Sequence, residues 1–597
     1  MDDQNKNLIL ASVLSFVVIV VWFIMFPPPE PTPQTEQETT ISTQNNTAST
    51  TPVTSSELSV QPETVQAAQT IRLPIKTDRV IGSISTTGGR IDDLKLLDYH
   101  VEVDPTTPEV TLLKPVGQDE AYYSAFGWAA LSGAGAPDVP NPETVWTVSG
   151  NDTLTTQTPV TLVWSNGKGL NFERVISVDE NYMFSVEQRV KNTSGQEVSL
   201  RPYGLIRRHG IPADVKNFFI LHEGLVRMSD GELAEDDYGT MEGYSIDDRE
   251  GTNAVRIEVA DQGWIGFTDH FWMTTLIPES GIGFRSTGKY YPSSNIFQAE
   301  AVMAPQTVAD GMQVSTTTKF FAGAKEWETI RNYENAGIAG FLDSIDWGWF
   351  FFITKPMFAV LHWLNSLIGN MGWAIIGLTI IIKALLFPLA YKSSVSMAKM
   401  KALQPEMEKI KERTGDDRAK LQQEMMALYK KEKVNPASGC LPILLQIPIF
   451  FSLYKVIFVT LELRHAPWVG WIKDLSAPDP SSILNLFGLL PFAAPSPDSL
   501  LSIISLGVLP ILLGISMWLQ QKLNPAPTDP TQAMIFAWMP WVFMFMLGTF
   551  ASGLVIYWIA NNMITFTQQY LIMRAQGIKP DVFGNIKSGL KRKKPAK

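Results

Sequence analysis

The stretch Met371-Gly-Trp-Ala-Ile-Ile-Gly-Leu-Thr379-Ile-Ile-Ile-Lys383-Ala-Leu-Leu-Phe-Pro-Leu-Ala-Tyr391 is apolar enough to cross a bilayer, and its single charge is a lysine. A charge at membrane depth costs about 2.5–3.5 kcal/mol on insertion scales, so such residues usually face a cavity and mark function. Four further stretches are equally apolar: residues 8–26, 441–461, 499–521 and 532–573, none with an Asp or Glu. The last is 42 residues without any charge, and Thr549 to Gly553 is a small, flexible break that divides it into 532–550 and 552–573. At about 20 residues per span, the chain is predicted to be an α-helical polytopic membrane protein with six transmembrane helices.

The net charge of −11 conceals two opposite halves. Residues 336–597 carry 25 Lys+Arg against 15 Asp+Glu, whereas residues 1–335 carry 23 against 44. Eleven basic residues fall in 392–433 and eight in 574–597, while 462–498 holds only Arg464 and Lys473. The positive-inside rule places 1–7, 392–433, 522–531 and the tail 574–597 in the cytoplasm. The acidic region 60–335 and the loop 462–498 then lie outside, and each loop agrees with the next.

Leu8 to Phe26 follows an acidic start, ends at Pro27-Pro28-Pro29 and lacks an A-x-A-like cleavage site. It reads as an uncleaved signal anchor. Residues 27–70 are rich in Pro, Thr, Ser, Gln and Glu and read as a disordered tether. From 71 to 335 the pattern is that of strands. Thr161–Trp164, Phe172–Val178 and Met183–Val190 are separated by turn chemistry at 166–169 and 192–195, which predicts a large all-β sandwich outside the membrane. Cys440 stands alone, so no intrachain disulfide forms. The six histidines show no metal spacing, and neither a metal nor a cofactor is expected. Residues 338–369, with Pro356 inside and Trp347, Trp349 and Trp363 along the run, suit an amphipathic helix in the outer interface with those indoles at headgroup level.

In the cytoplasmic stretch 392–433, Met397, Met400, Leu403, Met407 and Ile410 recur at steps of three and four, as do Leu421, Met425 and Leu428. Gly415 can end one helix and Asp416 or Asp417 can cap the next, giving a helical hairpin. Its stripes can pack on each other or, being rich in methionine, form an adaptable binding surface. Gly283 to Lys289 matches part of a phosphate loop, but Tyr290 replaces the hydroxyl, and the segment reads as a turn between strands. With no nucleophile motif or nucleotide site, the chain is not expected to be an enzyme.

Polar residues in the spans are few. Thr379 precedes Lys383 by four and shares its helix face. Gln446 lies in the third span, and Asn561, Asn562, Thr565 and Gln568 lie in the sixth; hydrogen bonding between helices is the plain reading of each. Lys383 is eight residues from Tyr391, roughly 12 Å along a helix, which strains a snorkelling explanation. Lys455, near the outer end of its span, snorkels more easily and is given no role. Lys383 therefore implies a wet indentation with a positive wall on the cytoplasmic side, attractive to polar or acidic segments.

Several runs carry a resemblance. Ser396-Met-Ala-Lys-Met-Lys-Ala-Leu-Gln-Pro405, Gln423 to Tyr429 with Val434-Asn-Pro436, Gly439-Cys-Leu-Pro442 with Gln446-Ile-Pro448, Asp474-Leu-Ser-Ala and Ser552-Gly-Leu-Val-Ile-Tyr557 resemble, in order, the YidC/Oxa/Alb family of membrane protein insertases. The resemblance covers roughly 340–575, and the anchor, tether and outer β-domain match the Gram-negative arrangement. It implies five helices around a hydrophilic groove, with a β-supersandwich outside. Lys383 takes the place of the family's groove arginine, and Trp558 stands where some members have tyrosine. The groove or substrate-contact set it implies is Lys383, Thr379, Gln446, Trp558, Tyr557 and Asn562. The hairpin, through Met397, Met400, Lys401, Met407 and Met425, resembles the part the family uses with ribosomes and signal-recognition targeting factors. Implied partners are nascent membrane proteins, the Sec translocon and the lipid bilayer of the inner membrane. A small-anion transporter or channel and a membrane-anchored carbohydrate-binding protein are the alternatives.

Overall fold

The computed structural model describes residues 71–577 except 132–135, 216–220, 416, 433, 435–440, 492–494, 496–500, 502–503 and 525–529. The expected anchor 8–26, the tether 27–70 and the tail beyond 577 lie outside the described residues.

Alternation builds the outer domain. In the strand Leu170–Val178, the side chains of Leu170, Phe172, Arg174, Ile176 and Val178 turn inward while their neighbours stay partly wet, the period-two pattern of a half-buried strand. Its partners are Val160–Ser165 on one side and Met183–Asn192 on the other, both antiparallel. Gly169, at φ +96°, lets the connecting turn close, because a Cβ there would sit 2.6 Å from the Ser194 backbone. The strands form sheets of eleven and nine members. Their facing sides share one apolar core, in which Phe126 meets Phe320 edge-on at 6.1 Å. Arg174 is buried among the strands and its guanidinium is met by backbone carbonyls. It donates to the carbonyls of Gly88 (3.2 Å), Gly89 (2.7 Å) and Phe126, and stacks over Trp146.

The phosphate-loop-like segment is not a turn. It lies within the strand Phe284–Tyr291, and Lys289 is buried against Glu250 (2.8 Å) and Glu300 (2.6 Å). Gly288 is there for space rather than for turning, since an added Cβ would stand 2.6 Å from Leu225 Cδ2.

Eleven helices are described: α1 (Tyr238–Glu242) and α2 (Trp327–Asn335) in the outer domain, then α3 (Phe351–Ile368), α4 (Met371–Leu385), α5 (Phe387–Ala402), α6 (Gln404–Thr414), α7 (Arg418–Lys431), α8 (Leu441–Val459), α9 (Val508–Leu523), α10 (Pro530–Met546) and α11 (Ser552–Ala575). Among the described residues, α3 is the one helix long and apolar enough to span unaided, and the bent pair α4–α5 passes the same test together.

The expected second span 371–391 is not one straight helix: α4 stops at Leu385 and α5 leaves at 69°. Pro388 is the cause: it lacks an N–H, and its ring would collide with the Ala384 carbonyl in a continuous helix. The helix α9 begins at Val508, the expected start of the fourth span at 499 lies outside the described residues, and Ile483–Gly488 is a kinked 3₁₀ turn with Leu486 and Phe487 at φ +49° and +58°.

The outer domain and the helices share the same core. Trp327 of α2 packs on Phe358 and His362 of α3. His270 stacks on Phe458 of α8, and its Nε2 lies 2.7 Å from the Phe458 carbonyl. Arg464 donates to the His100 carbonyl at 2.6 Å. Trp349 and Trp363 are exposed as expected of interfacial indoles, but Trp347 is buried, donating to the Leu342 carbonyl at 2.9 Å. Lys455 does not snorkel either. It is 6% exposed and ion-paired with Asp346, which also accepts the His222 N–H at 2.9 Å.

Candidate functional site

Lys383 falls in the last turn of α4, where unsatisfied carbonyls favour a cation. The same break that ends the helix thus decides the lysine's setting. The side chain is half-buried, and its Nζ donates to Gln446 Oε1 of α8 at 3.3 Å. Gln446 Nε2 in turn donates to Tyr557 Oη of α11 at 2.6 Å. One polar chain therefore ties three helices together, and among the described residues no carboxylate pairs with the cation. The arrangement holds a positive charge beside neutral hydrogen-bonding groups and leaves its remaining donors for water or a polar guest.

An aromatic wall adjoins it. Trp558, half-buried, meets Phe450 at 4.7 Å and Phe543 at 6.2 Å between ring centroids. Phe450 was not singled out in the sequence, although its place four residues after Gln446 puts it on the same face of α8.

Two members of the expected contact set turn away from any guest. Thr379 is 1% exposed and its hydroxyl donates back to the Ile375 carbonyl at 2.8 Å. Asn562 is buried and donates to Ser516 Oγ at 3.0 Å, joining α11 to α9. Asn562 thus ties two helices together, as polar groups in a helical bundle commonly do, while Thr379 is satisfied within its own helix. Tyr557 is also buried, so it anchors Gln446 rather than presenting a surface.

In the hairpin, Gly415 ends α6 and Asp417 caps α7, accepting the Lys420 N–H at 3.0 Å. Met407 and Leu428 are buried between the two helices, and the Tyr429 hydroxyl lies 3.9 Å from the Met407 sulfur. The two stripes thus meet at Met407 and Leu428. Met397, Met400 and Met425 remain half-buried. Lys401 is not free for a partner: its Nζ donates to the Lys522 and Leu523 carbonyls at 3.2 and 3.3 Å, completing the C-terminal end of α9.

At the outer joint, burial leaves two ionisable groups displaced. Lys325, buried with its Nζ on Thr268 Oγ1 and the Asp269 carbonyl at 2.7 Å each, is pushed down to about 8 by desolvation. Glu462, immediately after α8, is pushed up to about 7, again by desolvation.

Comparison with known proteins bears on both parts of the chain. The family model described as the YidC periplasmic domain matches residues 72–360, and that described as the 60Kd inner membrane protein matches 363–579. A relative named membrane protein insertase YidC from Roseobacter denitrificans is 63% identical over 600 residues, covering 99% of this chain and 99% of its own. A relative of the same name from Ruegeria pomeroyi is 61% identical and covers 100% of both chains. A solved crystal structure described as an active YidC insertase with its first transmembrane domain resolved is 18% identical. It covers 85% of this chain and 93% of its own, with a TM-score of 0.35. The chain belongs to the YidC family of membrane protein insertases.

Proposed function

We propose that this protein inserts other inner-membrane proteins and assists their folding, alone or beside the Sec translocon, through a positively charged hydrophilic groove. In this reading the chain crosses the membrane six times with both termini in the cytoplasm. The β-domain is periplasmic, α3 lies in the outer interface, and α4 and α8 to α11 surround the groove. A nascent apolar segment slides past Trp558 and Phe450 into lipid while its polar flank pauses beside Lys383. Positive charge and hydration there lower the desolvation cost of that flank. Burial of about 20 residues, at roughly −0.3 to −0.6 kcal/mol for each strongly apolar one, supplies the free energy without nucleotide hydrolysis. The basic hairpin α6–α7 and the basic tail engage ribosomes and targeting factors.

The observation that carries the reading is Lys383, half-exposed and, among the described residues, without a carboxylate partner, at the end of a 15-residue helix. Such a helix is about 23 Å long, short of a hydrocarbon core of about 30 Å, so water and headgroups reach inward toward the cation. The test compares Lys383→Arg, Lys383→Gln and Lys383→Leu in proteoliposomes receiving a small single-span substrate. Insertion persists with arginine and falls with both neutral residues. Normal insertion with both neutral residues removes the groove cation from the mechanism.

A further inference from the structure

A further concavity lies where the β-domain meets the helices. It is a cleft of about 980 Å³ between the exposed edge strand Glu232–Asp237 of the nine-stranded sheet, the start of α3 and the outer part of α8. We infer that this cleft is a binding site for one outer-leaflet phospholipid bearing a primary ammonium, a phosphatidylethanolamine-type headgroup.

Depth is the first argument. Ile447, Phe451 and Lys455 line the cleft from one face of α8, and eight residues of helix rise about 12 Å. That is close to one leaflet of a core about 30 Å thick. Polarity changes along that depth as a lipid's does. Ile447 and Phe451 are 44% and 38% exposed and form an apolar floor, with Trp349 and Phe351 at the level of the interface.

Charge is the second argument. The rim brings five carboxylates, Glu223, Glu235, Asp237, Asp343 and Asp346, against two ammonium groups, Lys355 and Lys455. Lys355 is bonded to Asp343 at 2.5 Å, and Lys455 to Asp346. Glu235 is exposed to the cleft and, among the described residues, has no ion pair. A net negative rim disfavours a net anionic lipid and favours a headgroup that ends in a cation. A primary ammonium supplies three donors to Glu235 and its neighbours, whereas a quaternary one supplies none. The lipid phosphate falls within the reach of Lys355, which is partly exposed. A basic peptide would match the rim but not an apolar floor one leaflet deep.

The inference rests on α8 crossing the bilayer, as proposed above. The test incubates the full-length protein in detergent with dioleoyl phosphatidylethanolamine, phosphatidylcholine or phosphatidylglycerol and reads retained lipid by native mass spectrometry. The wild type is expected to retain one phosphatidylethanolamine about tenfold more tightly than phosphatidylcholine, as expected for a charge-assisted hydrogen bond, with phosphatidylglycerol weakest. Glu235→Gln loses that preference, and Glu235→Lys reverses it toward phosphatidylglycerol. Glu102→Lys, on an exposed loop away from the cleft, changes nothing. Equal retention of the three lipids, an unchanged preference in both Glu235 variants, or displacement of the lipid by a basic peptide at micromolar concentration overturns the site. Retention of no lipid at all overturns the span assignment of α8 as well. The readout is lipid mass rather than insertion, so the outcome is independent of the Lys383 assay.

Discussion

Asp346→Ala should be among the most damaging single substitutions in the protein outside the apolar core. The Asp346 carboxylate sits between the Lys455 ammonium of α8 and the His222 N–H of the outer domain. The side chains are 12% and 8% exposed for Asp346 and Lys455. Burial alone would raise the Asp346 pKa, but Lys455 and the His222 N–H more than offset it and hold it below the usual carboxylate range. Removing the carboxylate leaves a lysine charge in a nearly dry site, a loss of about 3–5 kcal/mol in comparable buried pairs. Lys455→Met should cost less, because Asp346 keeps its backbone donor. The double variant removes both charges while methionine retains much of the lysine stem, so it should cost less than Asp346→Ala alone. That corresponds to a coupling energy of roughly 2–3 kcal/mol. The assay is denaturant unfolding of the detergent-solubilised protein, followed by near-UV circular dichroism for wild type, both single variants and the double. Single variants each costing under about 1 kcal/mol would refute the reasoning, as would a double variant with costs that simply add.

Three more expectations follow from particular contacts. Glu462 has a folded pKa near 7 against an ordinary 4.5; the folded state binds the proton more tightly, so stability should fall as pH rises from about 4.5 to 7. The change is on the order of 3 kcal/mol; Glu462→Gln should flatten it in unfolding midpoints taken across that window, and an unchanged slope would exclude Glu462 as its source. Tyr557→Phe deletes the hydroxyl that receives Gln446 Nε2 at 2.6 Å. It should lower stability by about 1 kcal/mol and reduce substrate insertion less than Lys383→Leu does, while equal losses in the insertion assay would make Tyr557 a contact residue rather than an anchor. Gly372→Ala would place a Cβ 2.2 Å from Trp468 Cδ1; it should cost roughly 1–3 kcal/mol by overpacking, and unaltered thermal unfolding would contradict the close approach of α4 to the outer loop.

Much of the architecture was legible because it depends on local pattern. Alternation over Leu170–Val178 announces a strand whatever it pairs with, and Gly415 with Asp417 announces a helix end and a new start. Glycine misled at Gly283 to Lys289, where punctuation was expected and Gly288 instead clears room for Leu225 from another strand. Pro388 is legible as a helix breaker, yet the apolar run around it hides the 69° bend it imposes between α4 and α5.

Local pattern along the chain already shows that apolar runs alternate with basic and acidic loops, that a β-rich domain precedes the helical part, and that lysines interrupt two of the expected spans. These follow from solvation and backbone periodicity, which act residue by residue. Only the tertiary structure decided where the polar side chains point. Lys455 finds Asp346 instead of the interface, Lys401 finds the end of α9, Thr379 and Asn562 turn inward, and Lys383 meets Gln446 and through it Tyr557. Apart from Thr379, which bonds within its own helix, each of these side chains finds its partner on a different segment, 46 or more residues away, and spacing along one helix carries no information about such partners.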